Sequence, residues 1–374
     1  MIRNKCAICN NKLNHIYKLQ NVPLSVSCTE NPVLNNDEMS YSICDICSTI
    51  QLDKLIPLNI LYNESHNFIS VGNIWIKYFI LFVEKIQPII IDKIVMEVGC
   101  PSGKIANLCK NYKKWYAIEP NINTSYYKDK TTIFINKYFD EDITNHVKEK
   151  IDIIIHSHLF EHIYEPNIFL RECYKLLNKE GEMFFGVPNM QFIADNSIAP
   201  FFGVFFEHTI FYNKENIIYL LQINNFELIN IYVYENHSIF FHVKKLQHIN
   251  TEIITVPRIN NLCNFNINIK IYNEFIVNSI KKLMLIKNKK IYIFGASYYT
   301  QILLSIGFSN IKITGILDNC IEKHNKYLYG YNLLINSPKI LEKEDCVIIL
   351  KNGIYCDEIY SQIMIINPNT YIIR

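Results

Sequence analysis

Apolar positions along this chain fall into short, mostly apolar blocks separated by stretches of helical spacing. Blocks of this kind run over 89–98, 114–118, 151–156 and 183–189, with a shorter one near 132–135, and their composition is that of strands buried on both faces. Between them, Ile105, Ala106, Leu108 and Cys109 predict a first helix, and Phe169, Leu170, Cys173, Leu176 and Leu177 predict a second over 167–177, stopped by Asn178-Lys179-Glu180-Gly181. Ahead of the first block, 57–91 has helical spacing at Ile74, Tyr78, Leu81, Phe82 and Lys85. Its lead-in, Tyr62 to Phe68, carries polar and aromatic groups suited to a pocket lid. Strand alternating with helix predicts an α/β fold around a parallel sheet. Two β runs, 226–234 and 238–244, flank Glu235-Asn236-His237 as a hairpin and give that sheet an antiparallel edge.

The pattern then starts again. A helix around 272–285 precedes Ile291-Tyr292-Ile293-Phe294-Gly295, then Ile313 to Leu317 ending in Asp318, and later strands at 346–350 and 371–373. This predicts a second Rossmann-like unit in which Asp318 is placed to hold a hydroxyl. The expected division is 1–56, 57–250 and 251–374.

The first block leads into Glu97-Val98-Gly99-Cys100-Pro101-Ser102-Gly103. Glycines there let backbone amides approach a nucleotide-type ligand without a Cβ in the way. Glu119 stands twenty positions beyond Gly99 (119 − 99), where a carboxylate accepts the hydroxyls of a ribose. NAD enzymes and S-adenosylmethionine (SAM) methyltransferases share this arrangement. The absence of a G-x-G-x-x-G turn, the acid at Glu97 and the antiparallel hairpin favour SAM, with Glu97, Gly99, Pro101, Gly103 and Glu119 as its contacts. Ser157 to Pro166 follows the carboxyl end of another predicted strand, where open α/β sheets bind ligands, and this adds His158.

Cysteine usage adds a second kind of chemistry. Cys6-Ala7-Ile8-Cys9 and Cys44-Asp45-Ile46-Cys47 are paired CxxC knuckles, able to supply four thiolates to one tetrahedral zinc at ~2.3 Å, with a redox-active CxxC pair as the alternative. A lobe of roughly 50 residues buries too little apolar surface to stand alone, so the metal is expected to hold it together. Cys28 is left as a spare thiol. Lys plus Arg (37) nearly balances Asp plus Glu (35), which argues against a nucleic-acid partner. The N-terminus lacks a signal-peptide core and charged residues interrupt the apolar runs, so no membrane insertion is expected and the location expected is cytoplasmic. A monomer or weak homodimer is expected.

With the knuckles, the glycine turn, Glu119-Pro120 and Phe206-Glu207-His208-Thr209-Ile210-Phe211-Tyr212 all in view, the chain resembles the sugar C-methyltransferase family. The resemblance implies a zinc-binding N-terminal domain, a SAM-binding domain, a C-terminal α/β domain that helps bind the substrate, and a nucleotide-activated keto-deoxysugar as that substrate. Methylating carbon requires a base for the α-proton and a group that stabilises the enolate oxygen. His208 is the expected base, Glu207 orients it or contacts substrate, and His162 is the second candidate as enolate stabiliser or base. Family members carry Tyr or His just before the Glu-His pair. Here Phe205 and Phe206 stand there, which leaves O-methylation as the alternative. A non-catalytic SAM-fold scaffold is the reading from another class.

Overall fold

The computed structural model describes residues 1–62, 72–248, 254–286 and 288–374. Most of the expected lid, 63–68, lies outside them. Strands β1 (Leu13–Pro23), β3 (Asn36–Cys44) and β4 (Ile50–Leu52) form an antiparallel sheet, while β2 (Cys28–Thr29) leaves it to pair elsewhere. Cys6, Ile8, Met39, Tyr41, Ile50 and Leu52 belong to one continuous core with Ile154, Phe185 and Phe241 of the central sheet. The N-terminal lobe is therefore packed against the rest rather than standing alone.

The predicted helix over 57–91 is two helices, α1 (Leu58–Leu61) and α2 (Asn73–Ile86), followed by a 3-10 turn over 87–89. Helix α2 buries Tyr78, Phe82 and Ile86, spaced by fours, against the sheet. The central sheet contains β5 (Ile94–Val98), β6 (Lys114–Ile118), β7 (Ile133–Ile135), β8 (Ile151–Ser157), β9 (Leu177–Pro188), β10 (Phe226–Tyr234) and β11 (Ser238–Lys245), in the order β10-β11-β9-β8-β5-β6-β7. Pairing is parallel from β9 to β7, and the hairpin adds two antiparallel strands at one side. The α/β class and antiparallel edge are as expected.

Two local expectations fail. Residues 101–110 form turns and no helix. Only residues 104–113 separate Gly103 from β6, and the ring of Tyr127 fills the space over the turn: a Cβ on Gly103 would stand 2.9 Å from it. The predicted stop over 178–181 is instead a bulge inside β9, since Ile151 pairs with Leu177 while Ile153 pairs with Glu182.

Helix α3 (Pro166–Leu176) spans the predicted second helix, and α4 (Met190–Asp195) and α5 (Lys214–Ile223) follow. Helix α6 (Leu262–Leu285) starts ten residues earlier than the pattern predicts (272 − 262). Asn268 explains the extension: it accepts from Phe201 N at 2.8 Å and donates to Ala199 O at 2.9 Å, securing a bend where Phe201 and Phe202 both have positive φ. Strands β12 (Lys290–Phe294), β13 (Gly315–Leu317), β15 (Ile335–Asn336), β16 (Cys346–Ile349) and β17 (Tyr371–Ile373) make a second, all-parallel sheet in the order β15-β13-β12-β16-β17. Helices α7 (Tyr298–Ile306) and α8 (Cys356–Ile366) accompany it, and β14 (Tyr327–Leu328) pairs with β2 of the N-terminal lobe. The second Rossmann-like unit is present.

Candidate active site

The carboxyl ends of β5, β6 and β8 open a cleft that contains Gly99, Glu119, His158, Leu159 and His162. Gly99 has φ +74°, and a Cβ there would approach Leu159 to 3.0 Å, so the turn is closely covered. Glu119 is buried at the end of β6 and accepts from Asn121 N at 3.0 Å. This carboxylate, a backbone turn free of Cβ and the apolar walls of Val98, Ile118 and Leu159 are a donor set that suits a nucleoside. Gly99, Glu119 and His158 are thus brought together as expected.

Three other expected contacts are elsewhere. Glu97 points to the opposite face of the sheet, where it accepts from Trp115 Nε1 at 3.2 Å and burial pushes its carboxyl up to about 8. Pro101 and Gly103 do not line the cleft, and Gly103 serves the packing of Tyr127, whose hydroxyl donates to Cys100 O at 2.6 Å. Alternation along β5 causes the separation for Glu97: Val98 and Glu97 face opposite ways.

Beyond the cleft lies a cluster of imidazoles. Nε2 of His208 is 3.2 Å from Nε2 of His162, with the rings nearly perpendicular at 87°. Nδ1 of His162 is 2.8 Å from the Tyr62 hydroxyl. Burial, reinforced by His162, lowers the His208 pKa to about 3 and keeps it neutral at pH 7. Next to them, His158 Nδ1 is 3.2 Å from Glu161 Oε1, and its Nε2 is 2.9 Å from Ser238 Oγ. Burial opposes ionisation of Glu161, yet His158 and the other imidazoles hold its carboxyl down at about 2. Glu207 is buried and accepts from Val26 N of the N-terminal lobe at 3.4 Å. His156 is a core residue, stacked 4.6 Å from Phe185.

A second cavity starts at His158 and His208 and continues between Trp75, His237, Tyr298 and Tyr299. A third shares Trp75, Tyr299 and Tyr355 with it and reaches Gly295, Lys323 and Asn352 at the C-terminal sheet. Asp318, expected to hold a hydroxyl, accepts from Ala296 N at 2.7 Å and Cys320 N at 2.8 Å, so its carboxylate secures its own turn. The sequence reading missed Glu161 and the Tyr298-Tyr299 pair, and it placed Tyr62 only in a pocket lid. The spacing of Glu161 three residues after His158 at a strand end was the available signal.

The four knuckle sulfurs lie within 4.8 Å of one another, with Cys6 Sγ to Cys47 Sγ 3.5 Å and Cys9 Sγ to Cys44 Sγ 3.4 Å. An ideal tetrahedral zinc would set such edges at ~3.8 Å. Gln51 Nε2 donates to Cys6 Sγ at 2.8 Å and Asn11 Nδ2 to Cys9 Sγ at 3.4 Å, contacts that favour thiolates. The set fits a closed metal site, and Cys28 stands apart in β2.

Residues 78–231 match the family model described as a methyltransferase domain. That stretch, which contains most of the central sheet, is a methyltransferase domain. The β5-to-β11 sheet includes the antiparallel hairpin that set the expectation of SAM. The N-methyltransferase NodS from Bradyrhizobium japonicum WM9 is similar at 9% identity, covering 48% of this chain and 99% of that one, with a TM-score of 0.37. Magnesium protoporphyrin IX methyltransferase from Synechocystis PCC 6803, solved with bound S-adenosylhomocysteine, is 12% identical over 47% of this chain and 89% of that one, TM-score 0.37. A SAM-dependent methyltransferase from Clostridium acetobutylicum ATCC 824 is 13% identical over 47% and 93%, TM-score 0.36. No curated protein matches the chain. Among the described residues, no helix is long and apolar enough to cross a membrane.

Proposed function

We propose that the methyltransferase domain moves the SAM methyl group to a nucleotide-activated keto-deoxysugar, at the carbon beside the ketone. The observation that carries this reading is the run of three cavities. His158 lines both the cleft of Gly99 and Glu119 and the second cavity, while His162 and His208 meet between them. Cofactor in the first cavity and sugar in the second would face each other across these imidazoles. The third cavity, with the cation of Lys323 beside the Gly295 turn, would take the diphosphate and nucleoside.

In this reaction the α-carbon gives up a proton, its electron pair attacks the SAM methyl, and the C–S bond breaks to leave S-adenosylhomocysteine. We assign the His162–His208 pair to the acceptor's oxygen and proton, and Glu207 to positioning the segment that carries His208. SAM supplies the methyl group; Glu119 binds its ribose, and Gly99 lets the backbone approach. Zinc at Cys6, Cys9, Cys44 and Cys47 is structural, and residues 1–56, 57–250 and 251–374 act as zinc-binding, methyltransferase and substrate-binding parts.

The test is hydrogen exchange on the substrate. Incubated in deuterium oxide without SAM, a keto-deoxysugar nucleotide should acquire α-deuterium, and His208→Asn should slow that by about a hundredfold, the usual contribution of a positioned proton-transfer group. Methyl transfer to a sugar hydroxyl with no exchange would instead establish O-methylation, the second reading, which Phe205 and Phe206 favour by supplying no phenol.

A further inference from the structure

The cluster where the first and second cavities meet has more ligating capacity than proton transfer needs. Glu161 is 1% exposed, and neither of its carboxylate oxygens has a well-directed hydrogen bond, although His158 Nδ1 lies at ion-pair distance. One carboxylate oxygen and one ring nitrogen from each of His162 and His208 all lie within 4.8 Å of one another. The two Nε2 atoms are 3.2 Å apart, close to the ~3.3 Å edge that metal–nitrogen bonds of 2.0–2.1 Å give a tetrahedron. One nitrogen of each imidazole and one oxygen of a buried carboxylate are thus close enough together to share an ion.

We propose that Glu161, His162 and His208 hold a divalent first-row transition-metal ion. Two imidazoles and one carboxylate suit zinc, iron(II) or cobalt, and leave coordination positions open. The Tyr62 hydroxyl, 2.8 Å from His162 Nδ1, fixes the ring so that Nε2 points to the ion, as outer partners of ligating histidines do. His158 contacts the same carboxylate from its other side and orients it. Without an ion, one imidazole must donate to the other, and the buried anion has only the surrounding imidazoles, His158 nearest, to compensate it.

The role follows from the cavities, and only this part rests on the keto-sugar reading. An open position on the side of the second cavity, which His208 lines, would take the acceptor's ketone oxygen and stabilise the enolate charge. The ion then takes the oxygen in place of the imidazole pair, and the α-proton passes to His158, which is not a ligand and lines both cavities.

Cobalt(II) tests the site without any turnover. The full-length chain, stripped with a chelator under reducing conditions and titrated with cobalt, should bind two equivalents. Thiolate coordination at the knuckles gives intense near-ultraviolet charge-transfer bands, whereas a nitrogen–oxygen site adds only weak visible bands. Glu161→Gln and His162→Phe should each weaken the second equivalent by ten- to a hundredfold while leaving the near-ultraviolet thiolate bands and the first equivalent unchanged. Thiolate bands alone, or a second equivalent indifferent to both variants, overturns the proposal and makes the cluster an imidazole pair beside a His158–Glu161 ion pair. Uptake of the second ion with no α-deuterium exchange in any keto-sugar nucleotide leaves the metal site standing and rejects the sugar reading.

Discussion

Glu119 and Glu97 are two acids at the ends of adjacent strands, and their surroundings give them opposite roles. Glu119 opens onto the cleft beside Gly99, so Glu119→Ala deletes a charged acceptor and should weaken SAM ten- to a hundredfold, about 1.5 to 3 kcal/mol, by calorimetry. An unchanged affinity would remove it from the site. Glu97 faces the other core, and burial raises its folded pKa to about 8 from an ordinary 4.5. The folded state therefore binds the proton more tightly than the unfolded chain. That contribution is fully present below about pH 4.5 and is lost as pH rises toward 8, at about 1.4 kcal/mol per pH unit inside the window. Glu97→Gln, neutral throughout, should flatten the dependence of stability on pH between 5 and 8 in urea melts. The sequence made both acids visible; it did not say which parity of β5 faces the ligand, because both cores of a parallel sheet are apolar and demand the same side chains.

At the scale of elements, the strands were legible and the connection after the glycine turn was not. Mostly apolar blocks in β5, β6, β8 and β9 can hardly be anything but buried strands. Ile105, Ala106 and Cys109 also kept helical spacing, and all three are buried, yet as turns. What decides against the helix is Tyr127, a residue that arrives from the far side of β6 and occupies the space over Gly103. Such a contact is long-range and leaves no local mark. It makes Gly103 sensitive: alanine there would take up a left-handed φ of +58° at about 1 to 2 kcal/mol and press on a buried ring at about 1 to 3 more. Gly103→Ala should therefore lose about 2 to 5 kcal/mol of stability in a denaturant melt. Tyr127→Phe, which keeps the ring and drops the bond to Cys100 O, should lose about 1.

At the scale of the whole molecule, the knuckles act on a segment far away in sequence. Cys44 and Cys47 lead directly into β4, where Leu52 N donates to Thr209 O and Phe211 N donates to Ile50 O, both at 2.9 Å. Arg3, buried just before the first knuckle, donates to Tyr164 O at 2.7 Å and more weakly to Thr209. The segment carrying Glu207 and His208 is thereby held from both sides by the N-terminal lobe, a junction across some 160 residues of chain that no spacing rule reveals. From the other direction, Tyr298 stacks on Phe205 at 4.3 Å, so all three parts of the protein meet at His208. The cleft of Gly99 and Glu119, in contrast, is lined by the ends of β5, β6 and β8, by α1 and by residues 137–139, none of them from the knuckles or β4. Cys44→Ser should consequently separate two functions. Loss of the knuckle metal lets β4 shift, and since misplacement by about 1 Å can cost about a hundredfold in rate, turnover should fall by that order while the SAM dissociation constant stays within about threefold. The melting temperature should drop as well, because metal binding contributes to folding. Were SAM affinity to fall in step with turnover, the lobe would be supporting the whole sheet rather than His208. Were neither to change, the four-cysteine cluster would carry no structural metal.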